Sequence, residues 1–252
     1  MSNQPVVSLR QVGKTFASGL RALDHFDLSV SDGEFISLLG PSGCGKSTAL
    51  RIIAGLSAPS EGAVEWEGNG TGNAGKIGFV FQEPTLMPWA DVAANVRLPL
   101  ELAQIEASDA VGRALARAGL IDFAQCYPRE LSGGMKMRAS IARALVTEPQ
   151  LLLMDEPFAA LDEINRFKLN DDLLSVWQEL RRTVIFVTHS VFESVYLSQR
   201  IVVMTPRPGR VFTEIAIPAR YPRNEHFRTS ADYAGFCRQV AQSLSQAMGG
   251  AA

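Results

Sequence analysis

Short, largely apolar runs separated by polar turns are the most regular pattern along this sequence. Runs of this length are typical of strands that are buried in a sheet, most often a parallel one. They predict strands at residues 6–12, 28–30, 35–39, 63–66, 77–81, 151–154 and 183–187. A glycine-rich stretch at residues 68–75 is expected to form a loop.

Helical spacing of apolar residues dominates the middle and the end of the chain. Between about residues 91 and 145 the apolar positions favour helices and no strand is evident, so we expect a helical subdomain inserted into an α/β core. A further helix is expected from about Glu163 to Arg181, and one amphipathic helix from about Phe227. The expected domains are a main domain at residues 5–220 and a helical tail at residues 221–252.

Composition narrows the class of protein. The net charge is −2 and hydrophobic residues make up 46% of the 252 residues, which is ordinary for a globular protein. Because there is no basic excess, we expect no nucleic-acid partner. The three cysteines, Cys44, Cys126 and Cys237, show neither disulfide nor metal spacing and favour a reducing compartment.

Membrane and export signals are not evident in the sequence. The first residues lack the basic and apolar regions of a signal peptide. No apolar run approaches the roughly 18 residues that a membrane-spanning helix needs. A role at a membrane would therefore require a partner protein.

The strongest chemical motif follows the apolar run at residues 35–39. It matches the phosphate-loop pattern G-x-x-x-x-G-K-[ST] and leads into a helix-compatible segment. Backbone N–H groups of such a loop surround phosphate oxygens, while the lysine reaches the β- and γ-phosphates and the serine hydroxyl ligates Mg²⁺. The predicted nucleotide-binding residues here are Gly40, Pro41, Ser42, Gly43, Cys44, Gly45, Lys46, Ser47 and Thr48.

Polar residues at the ends of two later strands suggest catalytic chemistry. Asp155 and Glu156 follow the apolar run 151–154, and adjacent carboxylates there are costly unless they meet a cation or transfer a proton. Asp155 suits Mg²⁺ binding, and Glu156 could polarise an attacking water. His189 ends another strand, where a surface role is common, but the shared sheet edge favours contact with the γ-phosphate.

Four weaker features each have a structural alternative. Gln82 could be only the solvated end of a strand, and Ser132-Gly133-Gly134 only a helix cap with a turn. Phe16 could stack on an adenine ring, although its local sequence favours a place in the core. The loop 83–89 could fold onto its own core or offer its apolar side chains to a partner.

Taken in order, these features resemble the ATP-binding subunit of ATP-binding cassette (ABC) transporters. The interval between Gln82 and Leu131 fits the helical subdomain of that family and leaves no room for the long coiled coil of related DNA-repair ATPases. The matching residues are the phosphate loop Gly40–Ser47, the Q-loop Gln82, the signature Leu131-Ser132-Gly133-Gly134, the Walker-B Asp155, Glu156, the D-loop Leu161-Asp162 and the switch His189.

The resemblance implies a fold and a composite ATP site. The fold is a P-loop NTPase core, a mixed sheet flanked by helices, with an N-terminal antiparallel β region and an inserted α-helical subdomain. ATP lies on the phosphate loop of one copy, beside Phe16, and is covered by the signature of a second copy. Glu156, His189 and Lys46 are the implied catalytic residues, and Ser47, Gln82 and Asp155 are the implied Mg²⁺ ligands.

Several segments resemble the importer ATPases for nitrate, sulfonates and taurine, above all Pro206-Arg207-Pro208-Gly209-Arg210. The implied partners are integral membrane permease subunits and, indirectly, a solute-binding protein. The implied location is peripheral, at the cytoplasmic face of the inner membrane. The sequence departs from the family pattern at Met137, where glutamine is usual, and at Ser190, where aspartate is common. Phe16 stands where tyrosine is frequent.

Two other functions are alternatives to import. A soluble ABC-type ATPase of DNA repair or translation should carry a coiled-coil insertion or two cassettes, and this sequence has neither. A phosphate-loop kinase would have no use for the signature segment at residues 131–134.

Overall fold

The computed structural model describes residues 5–66, 77–106 and 109–249. The glycine-rich loop expected at residues 68–75 lies outside the described residues, as do the last three residues of the tail. The chain forms two compact units. The first unit comprises residues 1–73 and 181–252, and the second comprises residues 74–180.

The described residues form strands and helices, which alternate one for one between residues 151 and 204. The strands are β1 (Pro5–Thr15), β2 (Arg21–Ser31), β3 (Phe35–Leu39), β4 (Glu61–Trp66), β5 (Ile77–Val80), β6 (Leu151–Asp155), β7 (Thr183–Thr188), β8 (Arg200–Met204) and β9 (Val211–Ala216). The helices are α1 (Lys46–Ile53), α2 (Val92–Leu102), α3 (Ala110–Arg117), α4 (Gly133–Leu145), α5 (Glu163–Leu180), α6 (Val191–Leu197), α7 (Glu225–Arg228) and α8 (Ala231–Gly249).

The first unit contains an antiparallel region and a mixed region of sheet. Strand β1 pairs antiparallel with both β2 and β4. In the mixed region β3 lies between β7 and β8 and is parallel to both, while β9 is antiparallel to β8. Every residue of β3 and β7 is buried, as expected for strands covered on both faces.

The second unit combines a parallel strand pair, β5 and β6, with helices. Buried residues of α2, α3 and α4, among them Val96, Leu115 and Ala139, form a separate apolar cluster. Helix α4 also approaches β5 closely, because a Cβ on Gly78 would lie 2.5 Å from the Ala144 carbonyl oxygen. The helices expected in this region are therefore confirmed.

Some boundaries differ from those expected. Strand β2 is much longer than residues 28–30, because its exposed polar residues alternate with buried ones and break the apolar run. Strands β8 and β9 were not predicted. The tail contains two helices instead of one, since Asn224 accepts a hydrogen bond from the Phe227 N–H at the start of α7 and Ser230 accepts one from the Tyr233 N–H at the start of α8.

The segment that leads into the tail is fixed by one buried arginine. The Arg223 guanidinium donates hydrogen bonds to five backbone carbonyls, and Arg223 is only 4% exposed. Its aromatic neighbour Tyr221 has its ring centre 4.2 Å from the guanidinium carbon. The acceptors are Val195, Tyr196, Ser198, Ile217 and Ala219, at 2.8–3.2 Å. Arg223 thus ties the end of α6 to the chain that follows β9.

Replacing this arginine should destabilise the protein. Arg223→Ala leaves several buried carbonyls without a donor, so we expect the free energy of unfolding to fall by roughly 2–4 kcal/mol. Urea denaturation followed by circular dichroism measures the change. The control is Arg220→Ala at an exposed position nearby, and an equal, small loss in both variants would contradict this role for Arg223.

Candidate functional site

The loop between β3 and α1 adopts a backbone path that needs glycine. Gly43 and Gly45 have φ angles of 75° and 109°, in the left-handed region that side chains disfavour. A Cβ on Gly45 would lie 2.8 Å from the Ala22 carbonyl oxygen, which leaves no space for one. Gly45 also precedes the first residue of α1, so the loop ends at a helix N-terminus, where anions are stabilised.

Lys46 points its charge back onto this loop. Its Nζ donates hydrogen bonds to the carbonyl oxygens of Gly40, at 2.9 Å, and Pro41, at 3.1 Å. Lys46 is 4% exposed. Because burying an ammonium group is costly, the charge of Lys46 needs polar acceptors or an anion beside it. The loop therefore has the charge and the N–H-rich helix start that bind phosphate.

His189 follows a strand end at the same edge of the sheet as the loop. Thr188 at the end of β7 lies opposite Leu39 at the end of β3, in parallel register. The residues that follow, His189 and Gly40, consequently emerge side by side, and His189 is exposed. The sequence expectation that these two strand ends share one edge is confirmed.

The turn that carries His189 is held by buried polar contacts that the sequence did not reveal. Thr188 Oγ1 donates to Glu193 Oε2 at 2.5 Å and accepts from the Ser190 N–H at 3.0 Å. Ser190 itself accepts a hydrogen bond from the Glu193 N–H and caps α6. The serine at this position therefore keeps a capping function that aspartate would also supply.

Phe16 lies in the connection between β1 and β2 and is 41% exposed. The alternative of a core position, which its local sequence alone favoured, is therefore wrong. Its backbone forms a tight loop, with the Phe16 N–H donating to the Leu20 carbonyl at 2.9 Å. Lys14 Nζ lies 5.6 Å from the centre of the ring. An aromatic face is thus accessible on the first unit.

Other predicted residues belong to the second unit, at the ends of its two strands. Strands β5 and β6 are parallel, with Val80 opposite Met154. Gln82, which is exposed, therefore follows the end of β5, and the 8% exposed Asp155 is the last residue of the neighbouring β6. Glu156 has a φ angle of 47°, so the chain changes direction immediately after Asp155.

The signature segment forms the start of α4. Ser132 is the N-cap residue and accepts a hydrogen bond from the Met135 N–H at 3.3 Å, as the sequence suggested. Leu131 is buried in the apolar cluster of the second unit. Met137, the departure from the family pattern, is 3% exposed and belongs to the packed face of the helix.

The loop at residues 83–89 is held by two side chains that sequence reasoning missed. Arg143 donates to the carbonyl oxygens of Pro84 and Thr85 at 2.9 and 2.8 Å. Asn95, which is fully buried, accepts from the Met87 N–H at 2.7 Å and donates to the Met87 carbonyl at 3.1 Å. In the sequence, the position of the polar Asn95 within the apolar stripe of α2 is the feature that could have indicated these contacts.

The two interpretations of that loop apply to different residues in it. Leu86 packs against the apolar cluster of the helices. Trp89, in contrast, is 76% exposed. Leu86 therefore anchors the loop, and Trp89 is presented outwards.

The oxygen-rich residues expected to bind Mg²⁺ do not form an acidic cluster within residues 5–66, 77–106 and 109–249. This part of the chain has no group of three or more His, Cys, Asp or Glu side chains that could hold a metal ion. The expected Mg²⁺ ligands are instead a hydroxyl, an amide and one carboxylate, the oxygen donors that Mg²⁺ prefers. None of the described helices is long and apolar enough to cross a membrane.

Comparison with known proteins agrees with these features. The family model described as ABC transporter matches residues 23–159. The chain is 44% identical over 243 residues to an uncharacterized ABC transporter ATP-binding protein of Methanocaldococcus jannaschii, covering 95% of this chain and 90% of that protein. It is 43% identical over 225 residues to the aliphatic sulfonates import ATP-binding protein of Bacillus subtilis, covering 89% of this chain and 87% of that protein.

Solved structures show the same fold. The ATP-binding cassette MJ0796, a dimer in a post-hydrolysis state with bound ADP and phosphate, has a TM-score of 0.74 and 34% identity, over 85% of this chain and all of that one. CbiO1 from Clostridium perfringens, part of an ABC transporter complex, has a TM-score of 0.76 and 27% identity, over 85% of this chain and 89% of that one. The chain belongs to the ABC transporter family and is one of its ATP-binding subunits, an enzyme that hydrolyses ATP.

Proposed function

We propose that two copies of this chain bind ATP between them and drive the import of a small solute of the sulfonate, nitrate or taurine class. The observation that carries the proposal is that one chain contains both a phosphate loop and a signature segment at the start of a helix. The phosphate loop alone is enough to hold phosphate, so the signature segment is available to the ATP of a second copy. The dimeric cassette structures and the sulfonate-import relative support it. We also propose an ATP-binding domain at residues 5–220 and a helical tail at residues 221–252.

The surroundings of the two signature glycines favour the interpretation that they contact a ligand held by a second copy. A Cβ on Gly133 would meet Leu161 at 3.6 Å, and one on Gly134 would meet Leu169 at 3.9 Å, both ordinary contact distances. Neither glycine has a positive φ angle, and glycine inside a helix is less favourable than alanine by up to about 1 kcal/mol. Close approach of a second copy's triphosphate accounts for glycine at both positions.

On the nucleotide side, each residue has a role set by its chemistry. Phe16 stacks on the adenine ring, and residues 40–48 surround the phosphates with backbone N–H groups. Lys46 moves its ammonium from loop carbonyls to β- and γ-phosphate oxygens. The Ser47 hydroxyl, the Gln82 amide oxygen and the Asp155 carboxylate are the proposed Mg²⁺ ligands, and bound Mg²⁺ neutralises charge on the phosphates.

In the proposed hydrolysis step, Glu156 is the base, and His189 and Lys46 are the donors. Glu156 accepts a proton from water as the water oxygen attacks the γ-phosphorus, and the bond from that phosphorus to the β–γ bridging oxygen breaks. His189 donates a hydrogen bond to a γ-phosphate oxygen, while Lys46 stabilises the charge that develops. The products are ADP, phosphate and a proton, and loss of the shared γ-phosphate lets the two copies separate.

Coupling to transport requires membrane partners. We propose that integral permease subunits dock beside Gln82 and the loop 83–89, where Trp89 is exposed. The chain is then a peripheral protein at the cytoplasmic face of the membrane, and a solute-binding protein supplies the specificity. ATP turnover measured with and without reconstituted permease subunits tests this role. Turnover that never responds to any permease encoded beside this gene would favour a soluble ABC-type ATPase.

Removing the phosphate-loop lysine should weaken nucleotide binding itself. Lys46→Ala deletes the cation that meets the phosphates, and we expect the Kd for ATP to rise at least about tenfold, since a hydrogen bond to a charged group contributes roughly 1.5–3 kcal/mol. Isothermal titration calorimetry gives the Kd. Lys168→Ala, at an exposed position on α5, is the control, and unchanged affinity in both variants would refute the phosphate-loop assignment.

Removing the proposed base should lower ATP turnover without weakening ATP binding. Glu156→Gln keeps the shape of the side chain but cannot accept the proton, so we expect ATP affinity to persist while kcat falls about 100-fold or more. Gel filtration with ATP should then show a stable dimer. The matched control Glu179→Gln removes one exposed carboxylate from α5. Full turnover by Glu156→Gln would mean that another group is the base.

A further inference from the structure

The connection between β8 and β9 contains a motif that the proposed function does not use. Its residues, Thr205-Pro206-Arg207-Pro208-Gly209-Arg210, are here called the 205–210 connection. Residues 206–210 of this connection carry the resemblance to the nitrate and sulfonate importers, but the proposed mechanism gives them no role. The connection and the phosphate loop both belong to the first unit.

Two glycines let the backbone of this connection and the phosphate loop touch. A Cβ on Gly209 would lie 2.1 Å from the Cys44 carbonyl oxygen, so only glycine fits beneath the loop. At the start of the loop, a Cβ on Gly40 would lie 3.1 Å from the Cβ of Met204. The phosphate loop therefore rests on the end of β8 and on the connection that follows it.

Arg207 makes the side-chain contact between the two segments. Its Nε donates a hydrogen bond to the Gly43 carbonyl oxygen at 3.2 Å. Its Nη2 lies 3.0 Å from the position that a Cβ on Gly43 would occupy. The guanidinium therefore lies against the Gly43 peptide and engages its carbonyl, and this bond must break before that peptide can rotate.

The 205–210 connection is held by hydrogen bonds within itself and to β2. The Thr205 hydroxyl donates to the Pro208 carbonyl at 3.1 Å and accepts from the Arg210 N–H at 3.0 Å. The Gly209 N–H donates to the Ala22 carbonyl at 2.9 Å, and the Gly209 carbonyl accepts from the Asp24 N–H at 3.1 Å. Backbone hydrogen bonds to Ala22 and Asp24 therefore attach Gly209 to β2.

A salt bridge adds a second attachment to β2. Arg210 pairs with the carboxylate of Asp24, which also bonds His25 and Arg21. Burial opposes ionisation of Asp24, but these three partners outweigh burial and lower the pKa of its carboxyl group. Asp24 is therefore ionised at neutral pH and remains paired with Arg210.

We propose that Arg207 is a positioning residue that holds the Gly43 peptide so that the phosphate loop is shaped before nucleotide arrives. The inference rests on the proposed nucleotide binding at this loop. A loop that is already ordered loses less conformational freedom on binding, and affinity rises accordingly. Since ATP and ADP both carry the phosphates that the loop surrounds, Arg207 strengthens the binding of both nucleotides. It takes no part in the attack on the γ-phosphorus.

The test compares nucleotide affinity with turnover in Arg207 variants. For Arg207→Ala we expect the Kd values for ADP and for a non-hydrolysable ATP analogue to rise together, each by about tenfold. The KM for ATP should rise to a similar extent, while kcat at saturating ATP stays within about twofold. Arg207→Lys keeps a cationic donor and should recover most of the affinity. Arg238→Ala, exposed on α8, is the control.

A second variant, Gly209→Ala, tests the backbone contact between the 205–210 connection and the phosphate loop. Gly209→Ala places a Cβ against the Cys44 carbonyl, so we expect weaker binding of both nucleotides, and its circular dichroism spectrum reports whether it is folded. If it does not fold, the exposed Arg207 still decides the matter. Wild-type affinity in Arg207→Ala, or a fall in kcat with unchanged KM, overturns the proposal. If Lys46→Ala also binds as wild type does, the proposed nucleotide site itself fails.

Discussion

The loop between β3 and α1 has to fold back on itself in a space that excludes side chains. Gly43 and Gly45 take positive φ angles there, and a Cβ on Gly45 would strike the Ala22 carbonyl. Only a path of this kind turns successive N–H groups to the same side, where they can bind one anion. The buried strand before the loop and the helix after it hold both ends of that path, and the neighbouring strands hold β3 in place.

Much of this could be predicted from the sequence because the signals are local. The phosphate loop needs its glycines, lysine and serine at fixed spacing, and Asp155 and His189 directly follow apolar strands. Parallel strands bring their ends to one edge, so the sequence predicted that His189 and Gly40 share an edge of the sheet, and the register of β3 and β7 places them side by side. The Ser132 cap was predictable for the same reason, since it depends on residues within one turn of helix.

The features that sequence reasoning missed depend on contacts and exposure that the local pattern of side chains does not reveal. Asn95 and Arg143 shape the loop 83–89 through backbone carbonyls, and any residue type supplies such acceptors, so no pattern of side chains reveals them. Strand β2 was underestimated because its polar positions face outwards and interrupt the apolar run. Arg223 reads in the sequence as one more surface arginine, although it is buried.

The backbone at Glu156 constrains the direction of the carboxylate that we propose as the base. A left-handed conformation at a residue other than glycine is unfavourable by roughly 1–2 kcal/mol, and Glu156 adopts one with a φ of 47°. The fully buried β6 fixes the chain before it, and the Ala159 N–H bonds to the Glu156 carbonyl at 3.2 Å after it. Glycine would relieve the strain but would remove the carboxylate. Because other non-glycine residues, such as Gln11 and Glu148, have similar φ angles, the strain sets the direction of the Glu156 side chain, while its proposed role rests on the chemistry of its carboxylate.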